Sequence, residues 1–159
     1  MFTRILAAVD FGEPSDAALA YARALAAAFD ARLHLLHVLP NTFLRAMVAD
    51  PRDVESAVLD RLLDRVREAG GPGPDPVATV RRSDDPGDDI VSYARTRGID
   101  LIVMGTHGRR GLTHALMGSI AEQVVRRAPC PVITVPPGHA GEERFFDTTA
   151  NNFPAAVGH

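Results

Sequence analysis

The chain has 159 residues and a mass of 17.0 kDa, enough for one domain with its own apolar core. A formal net charge of -3 and a pI near 6.0 argue against a general nucleic-acid binder. All 17 basic residues are Arg, so chemistry that needs a P-loop lysine or a Schiff-base lysine is excluded.

Arg4 to Asp10, RILAAVD, is a short apolar run ending in a carboxylate and reads as a buried parallel strand. Phe11-Gly12-Glu13-Pro14-Ser15 carries turn signals, and Pro14 or Ser15 opens a helix running to about Phe29. Ala18, Ala22, Leu25 and Phe29 form its expected apolar face. Arg32 to Leu39 is the second strand, stopped by Pro40. His34 and His37 within it fall on opposite faces and cannot share one metal. Residues 41 to 52 are ambiguous.

From Asp53 to Ala69 a helix is expected, with Val54, Val58, Leu62 and Val66 as its stripe and Leu59 and Leu63 widening it. GGPGPDP, residues 70 to 76, is a turn-rich surface linker. Val77 to Arg82 is a third strand. Asp88 to Arg97 is a short helix whose Asp88 and Asp89 complement its N-terminal dipole, and Gly98 ends it.

Leu101 to Met104 is strand four. The last helix spans Ser119 to Arg127, with Ile120, Val124 and Ala128 turned inward, and Pro131 to Val135 is strand five. Cys130, the only cysteine, lies in Ala128-Pro129-Cys130-Pro131 and reads as a small buried thiol; a disulfide within the chain is excluded. The first domain ends near residue 137. Residues 138 to 159, with Phe145, Phe146 and Phe153 as anchors, are expected to be an irregular tail, either disordered or docked on a neighbouring surface.

Strands and helices thus alternate, which predicts an α/β fold: an open five-stranded parallel sheet, doubly wound and Rossmann-like, with helices on both faces. Ligands of such folds sit beyond the carboxyl ends of the strands, where the strand order reverses. Asp10, Val38-Leu39 and Met104-Gly105 should converge there. No apolar run approaches the ~18–20 residues of a membrane span. Met1-Phe2-Thr3-Arg4 shows no signal-peptide design, so a cytoplasmic location is expected.

The chemistry concentrates in Asp100 to Ser119, DLIVMGTHGRRGLTHALMGS. Strand, glycine loop and helix start together form a phosphate-holding arrangement, because glycines admit an anion and unpaired N–H groups face it. Gly105, Gly108 and Gly118 are spaced G-x2-G-x9-G and followed by Ser119. This is neither the dinucleotide fingerprint, since His107 breaks it, nor a P-loop. Ser119-Ile120-Ala121-Glu122 matches a capping box, S-x-x-E, and the same hydroxyl could donate to a phosphate oxygen. Arg109 and Arg110 suit a bidentate phosphate contact or two solvated loop charges. His107 and His114 lack a third ligand at regular spacing, so no resident metal is expected.

On these residues the chain resembles the universal stress protein family, the UspA-like domain, and its ATP-binding members. Gly105, Gly108, Gly118 and Ser119 match the family's signature G-2x-G-9x-G-[ST] without gaps. RILAAVD resembles the family's opening strand, Glu13-Pro14-Ser15 the turn after it, Leu36-His37-Val38-Leu39-Pro40 its second strand, and APCPVITVP its closing strand. The resemblance implies an adenine nucleotide alpha hydrolase-like sheet of order 3-2-1-4-5. It also implies an adenine-nucleotide site for ATP, ADP or AMP, with Mg²⁺ carried in with the nucleotide. Val38 would meet the adenine edge, with Ala8 and Val9 lining the base pocket and Asp10 near the ribose or a metal–phosphate complex. Met104 and Gly105 would pack on the ribose, and His107, Gly108 and Arg109 would follow the first phosphates. Gly118, Ser119, Ile120 and Ala121 would cradle the last phosphate. Ala121 lacks a hydroxyl that ATP-binding members often carry there, implying a weaker contact.

The resemblance further implies a homodimer through strand Pro131–Val135, whose bare edge is otherwise a pairing hazard. The functions that follow are a nucleotide-binding, dimeric regulatory protein of the stress response that meets an unknown protein partner, a slow ATPase or phosphotransferase, or a nucleotide-free dimer acting by contact alone. No catalytic residue is assigned, since Asp10 is the only carboxylate placed at the crevice.

Overall fold

In a computed structural model, the described residues are 1–42, 50–71, 73–106 and 117–136. Strands β1 (Arg4–Ala8), β2 (Arg32–Leu39), β3 (Val77–Arg82), β4 (Leu101–Gly105) and β5 (Val132–Val135) form one sheet in the order β3-β2-β1-β4-β5. All neighbouring pairs are parallel. The expected topology is therefore borne out. Helices α1 (Glu13–Phe29), α2 (Pro51–Ala69), α3 (Pro86–Arg97) and α4 (Ser119–Arg127) connect the strands.

Alternation along the strands splits the core into two layers. Ile5, Ala7, Val9, Leu33, Leu35, Leu101 and Val103 pack with α1 and α2 on one face. Leu6, Leu36, Ile102 and Met104 pack with α3 and α4 on the other. α2 docks through Val54, Leu62 and Val66, and truncating the fully buried Leu62 to Ala would cost about 2–5 kcal/mol. His34 and His37 do lie on opposite faces: His34 contacts Tyr93 of α3, while His37 stacks against Phe11, with ring centroids 4.8 Å apart.

The alanine-rich face of α1 lies closer to the sheet than the expected stripe indicated. Ser15, Ala18, Leu19, Ala22 and Ala26 are buried, whereas Phe29 is 36% exposed and sits edge-on to Phe2. Small side chains let the helix backbone descend onto the strands, and Phe29, the last residue of the helix, packs on Phe2. α3 begins earlier than expected. Pro86 opens it, and the cap is Asp85, whose Oδ1 accepts the Asp88 amide at 3.0 Å. Asp88 and Asp89 lie in the first turn of α3, as expected, and also pair with Arg127 at 2.7 Å and with Arg81 at 3.2 Å. Gly98 ends the helix in the left-handed conformation, φ 61°. Cys130 is a free thiol, only half-buried, and burial followed by the Asp100 charge raises its pKa.

Candidate functional site: the crevice at the carboxyl ends of β1 and β4

The order of the sheet reverses between β1 and β4, which are neighbours in space although β2, β3 and the helices beside them separate them in the chain. From β1 the connections run outward to β2 and β3; from β4 they run to β5. The loops leaving β1 and β4 therefore part and open a crevice between them.

On the β1 side the exit is rigid. The Val9 amide donates to Leu36 O at 2.9 Å, and the His37 ring contacts Val9 O through Nδ1 at 2.7 Å. The Asp10 amide donates to the buried Ser15 Oγ at 3.0 Å, while Asp10 Oδ1 accepts the Gly12 amide at 2.8 Å. The second carboxylate oxygen of Asp10 has no partner among the described residues. Phe11 is forced to φ 65°, a conformation that costs a non-glycine residue about 1 kcal/mol or more. Its ring is held between His37 and the Arg61 guanidinium, 4.5 Å from the ring centroid.

On the β4 side the Thr106 amide donates to Val135 O at 2.9 Å, extending the ladder past Gly105. The Gly118 amide then donates to Thr106 O at 2.6 Å, so both ends of the glycine loop meet at the end of β4. Gly118 is the N-cap of α4 with extended φ −70° and ψ 156°, and its carbonyl accepts the Glu122 amide at 2.9 Å.

The capping box does not form. Ser119 is already the first helical residue, no side chain caps the helix, and Glu122 pairs with Arg126 at 2.8 Å. A capping hydroxyl requires extended backbone, and Gly118 occupies that position. The first-turn amides of Ser119, Ile120 and Ala121 thus have no capping side chain, and Ser119 is exposed. Ile120 is 38% exposed rather than inward; Met117, Ala121, Val124 and Ala128 form the inward stripe. Their spacing of four, three and four tracks the helical period, which leaves Ile120 a hundred degrees off that face.

Ala8, Val38, Met104 and Ala121 belong to one apolar cluster under α3 and α4. Ala8 registers with Leu36 on one side and Met104 on the other. Val9 does not join them: its side chain is buried on the opposite face, and its amide and carbonyl are both engaged. Ala121 is 2% exposed, so what it can present to an anion is its N–H. Gly105 serves packing first. A Cβ there would lie 2.8 Å from Pro14 Cβ and 2.9 Å from Pro14 C, so only glycine lets the start of α1 cross β4. His107, Gly108 and Arg109, like Arg110 and His114, lie outside the described residues, as does the tail 138–159.

Sequence reading missed two contributors. Thr106, 5% exposed, supplies both bonds that close the loop. Met117 packs on the cluster beside Ala121, and its place seven residues before Val124 was the available signal. Among the described residues, no group of His, Cys, Asp and Glu is arranged to hold a metal ion. Nor is any helix there long and apolar enough to cross a membrane.

A doubly wound parallel sheet whose strand order reverses between β1 and β4, with an uncapped helix start beside that switch point, defines a small Rossmann-like α/β protein. Residues 1–136 match the family model described as the universal stress protein family, and the chain belongs to that family. A universal stress protein of Thermus aquaticus is 33% identical over 143 residues, covering 85% of this chain and 99% of that one. One from Methanocaldococcus jannaschii is 29% identical over 140 residues, covering 85% and 82%. Among solved structures, UspA from Lactobacillus plantarum superposes with a TM-score of 0.71 at 27% identity, covering 84% of this chain and 97% of that one. Two others share the fold at 24% identity. One, in complex with cAMP, has a TM-score of 0.66 and covers 84% and 97%; the other, from Archaeoglobus fulgidus in complex with dAMP, has 0.58 and covers 85% and 98%.

Proposed function

We propose that the crevice binds an adenine nucleotide, ATP in the first instance, and that the protein is a regulatory member of its family whose surface depends on nucleotide state. The observation that carries this is the Gly118–Thr106 bond, because it sets an uncapped helix start beside the carboxyl ends of β1 and β4. Such a start offers several N–H groups and a positive dipole end to a phosphate. Ala8, Val38 and Met104 supply apolar surface for a base and ribose at the same end of the sheet. The solved relatives in complex with cAMP and dAMP are family members of this fold that hold adenine nucleotides. In this reading Ser119 donates its hydroxyl to the last phosphate, with the amides of Ser119, Ile120 and Ala121 beside it. His107, Gly108 and Arg109 follow the inner phosphates. Mg²⁺ accompanying the nucleotide would meet the unpartnered oxygen of Asp10. We propose a homodimer through the β5 edge as part of the same reading, since Ile133 there is 38% exposed.

Mass spectrometry of the gently purified protein should detect co-purifying adenine nucleotide, and a Gly118→Val/Ser119→Ala variant should lose it. Retention in that variant would sink the assignment of the phosphate site. The Asp10 oxygen without a partner among the described residues favours one second reading, slow hydrolysis. Single-turnover hydrolysis abolished by Asp10→Ala would replace pure binding with an ATPase.

A further inference from the structure

The face of the sheet beneath α3 and α4 carries a second concavity, at the end opposite the crevice. It is a depression of about 540 Å³ bordered by Arg4, Arg32, Arg95 and Arg97, with His34 in its lining. Its charge is one-sided. Arg4 and Arg32 stand side by side in the register of β1 and β2, a like-charge pairing that costs stability. Arg95 reaches the Arg127 carbonyl at 3.3 Å, and the Arg97 guanidinium lies 5.7 Å from the centre of the Tyr93 ring. Among the described residues none of these arginines has a carboxylate partner. Asp100, at this end of the sheet, is committed to the Thr3 and Arg4 amides and the Thr3 hydroxyl. Asp30 ends α1, which covers the other face.

His34 is the second, independent observation. It is 6% exposed, its Nδ1 lies 3.0 Å from the Tyr93 hydroxyl, and that hydroxyl lies 3.2 Å from Thr79 Oγ. Its Nε2 is buried without a hydrogen-bond partner. The charges acting on the ring are those of Arg32, Arg97 and Arg4, all positive. With the Tyr93 hydroxyl assigned as donor to Nδ1, the neutral ring carries its proton on Nε2. A buried N–H without an acceptor is costly, and His34 is one of the residues that line the arginine-rimmed depression.

We propose that the depression is an anion site for a small phosphate chain, of the pyrophosphate or polyphosphate class, held by the His34 Nε2–H and the surrounding guanidinium groups. Guanidinium forks match phosphate oxygens bidentately, and a multiply charged chain would relieve the repulsion between Arg4 and Arg32. A pyrophosphate occupies only part of such a volume, so the depression also admits a longer phosphate chain.

The test is calorimetric titration with inorganic pyrophosphate at low and high salt, alongside NMR of the His34 imidazole. Expected are salt-sensitive binding, a shift of the His34 Nε2 resonance, and a loss of at least about tenfold in affinity for Arg32→Gln/Arg97→Gln. Both arginines are exposed, so this variant should keep its fold, as circular dichroism would check. The Gly118→Val/Ser119→Ala variant should still bind pyrophosphate with the same His34 response. Unchanged affinity in the arginine variant, loss only in the Gly118→Val/Ser119→Ala variant, or no binding at millimolar pyrophosphate would each overturn the proposal.

Discussion

The Gly118 amide donates to the Thr106 carbonyl across 2.6 Å, and Thr106 in turn donates its own amide to Val135. These bonds join the end of β4, the start of α4 and the end of β5. The glycine loop therefore leaves and returns at one point of the sheet, and α4 begins where a ligand at the switch point can reach it. Its consequences can be tested separately for stability and for binding.

Ser119→Ala should leave stability within about 0.5 kcal/mol, because Gly118 and not Ser119 occupies the cap. A capping serine would cost about 1 kcal/mol. The same variant should weaken ATP binding severalfold. Urea unfolding together with nucleotide titration separates the two roles, and a stability loss without a binding loss would return Ser119 to a structural part.

Gly105→Ala should destabilise the protein by about 1–3 kcal/mol, since the new methyl would meet Pro14 and the start of α1. The loss should appear in the denaturation midpoint with little change in slope. Because the displaced turn also positions Asp10 through Ser15, nucleotide affinity should fall with it.

Asp100→Asn should lower stability by about 1–2 kcal/mol at neutral pH. Burial raises the Asp100 pKa, but hydrogen bonds from the Thr3 amide, the Thr3 hydroxyl and the Arg4 amide together take it below its usual 3.8. A depressed carboxylate pKa stabilises the fold above the unfolded value, and that contribution disappears as pH falls through the folded value. The gap between wild type and Asp100→Asn in thermal melts should therefore keep its full width at neutral pH and close only as pH falls below 3.8.

His34 should give a pH dependence of the same sign in a higher window, because its pKa too is lowered in the fold. Burial, then Arg32, Arg97 and Arg4, lower its pKa from 6.5, while Tyr93 holds the neutral ring. The unfolded chain binds the proton more readily, so stability is full above about pH 6.5 and declines as pH falls below it. His34→Gln should flatten thermal stability between pH 7.5 and 5.5. An unchanged slope would place that pH dependence elsewhere.

Ile133→Asp should convert the proposed dimer to monomer in light scattering at micromolar concentration, because Ile133 lies exposed on the terminal strand of the sheet. A monomeric wild type would count against the β5 interface.

Much of this was legible in the chain itself. Apolar runs broken by glycine and proline predict the strands, and β2 and β3 have the expected bounds, Arg32–Leu39 and Val77–Arg82. The alternation of strand and helix predicts the doubly wound sheet, and G-x2-G-x9-G-S marks the loop. Those signals are local, carried by periodicity and by residues with special backbone freedom. Tertiary structure alone decided three matters. Gly105 is glycine because α1 presses on β4. Gly118 rather than Ser119 caps α4, because Thr106 draws its amide to the sheet. Val9 is buried on the face covered by Ala18, Leu19 and Ala22, while Ala8 packs on the other face with Leu36 and Met104. Each depends on segments far apart in sequence meeting at one point, and no periodicity within a segment encodes which neighbour will meet it.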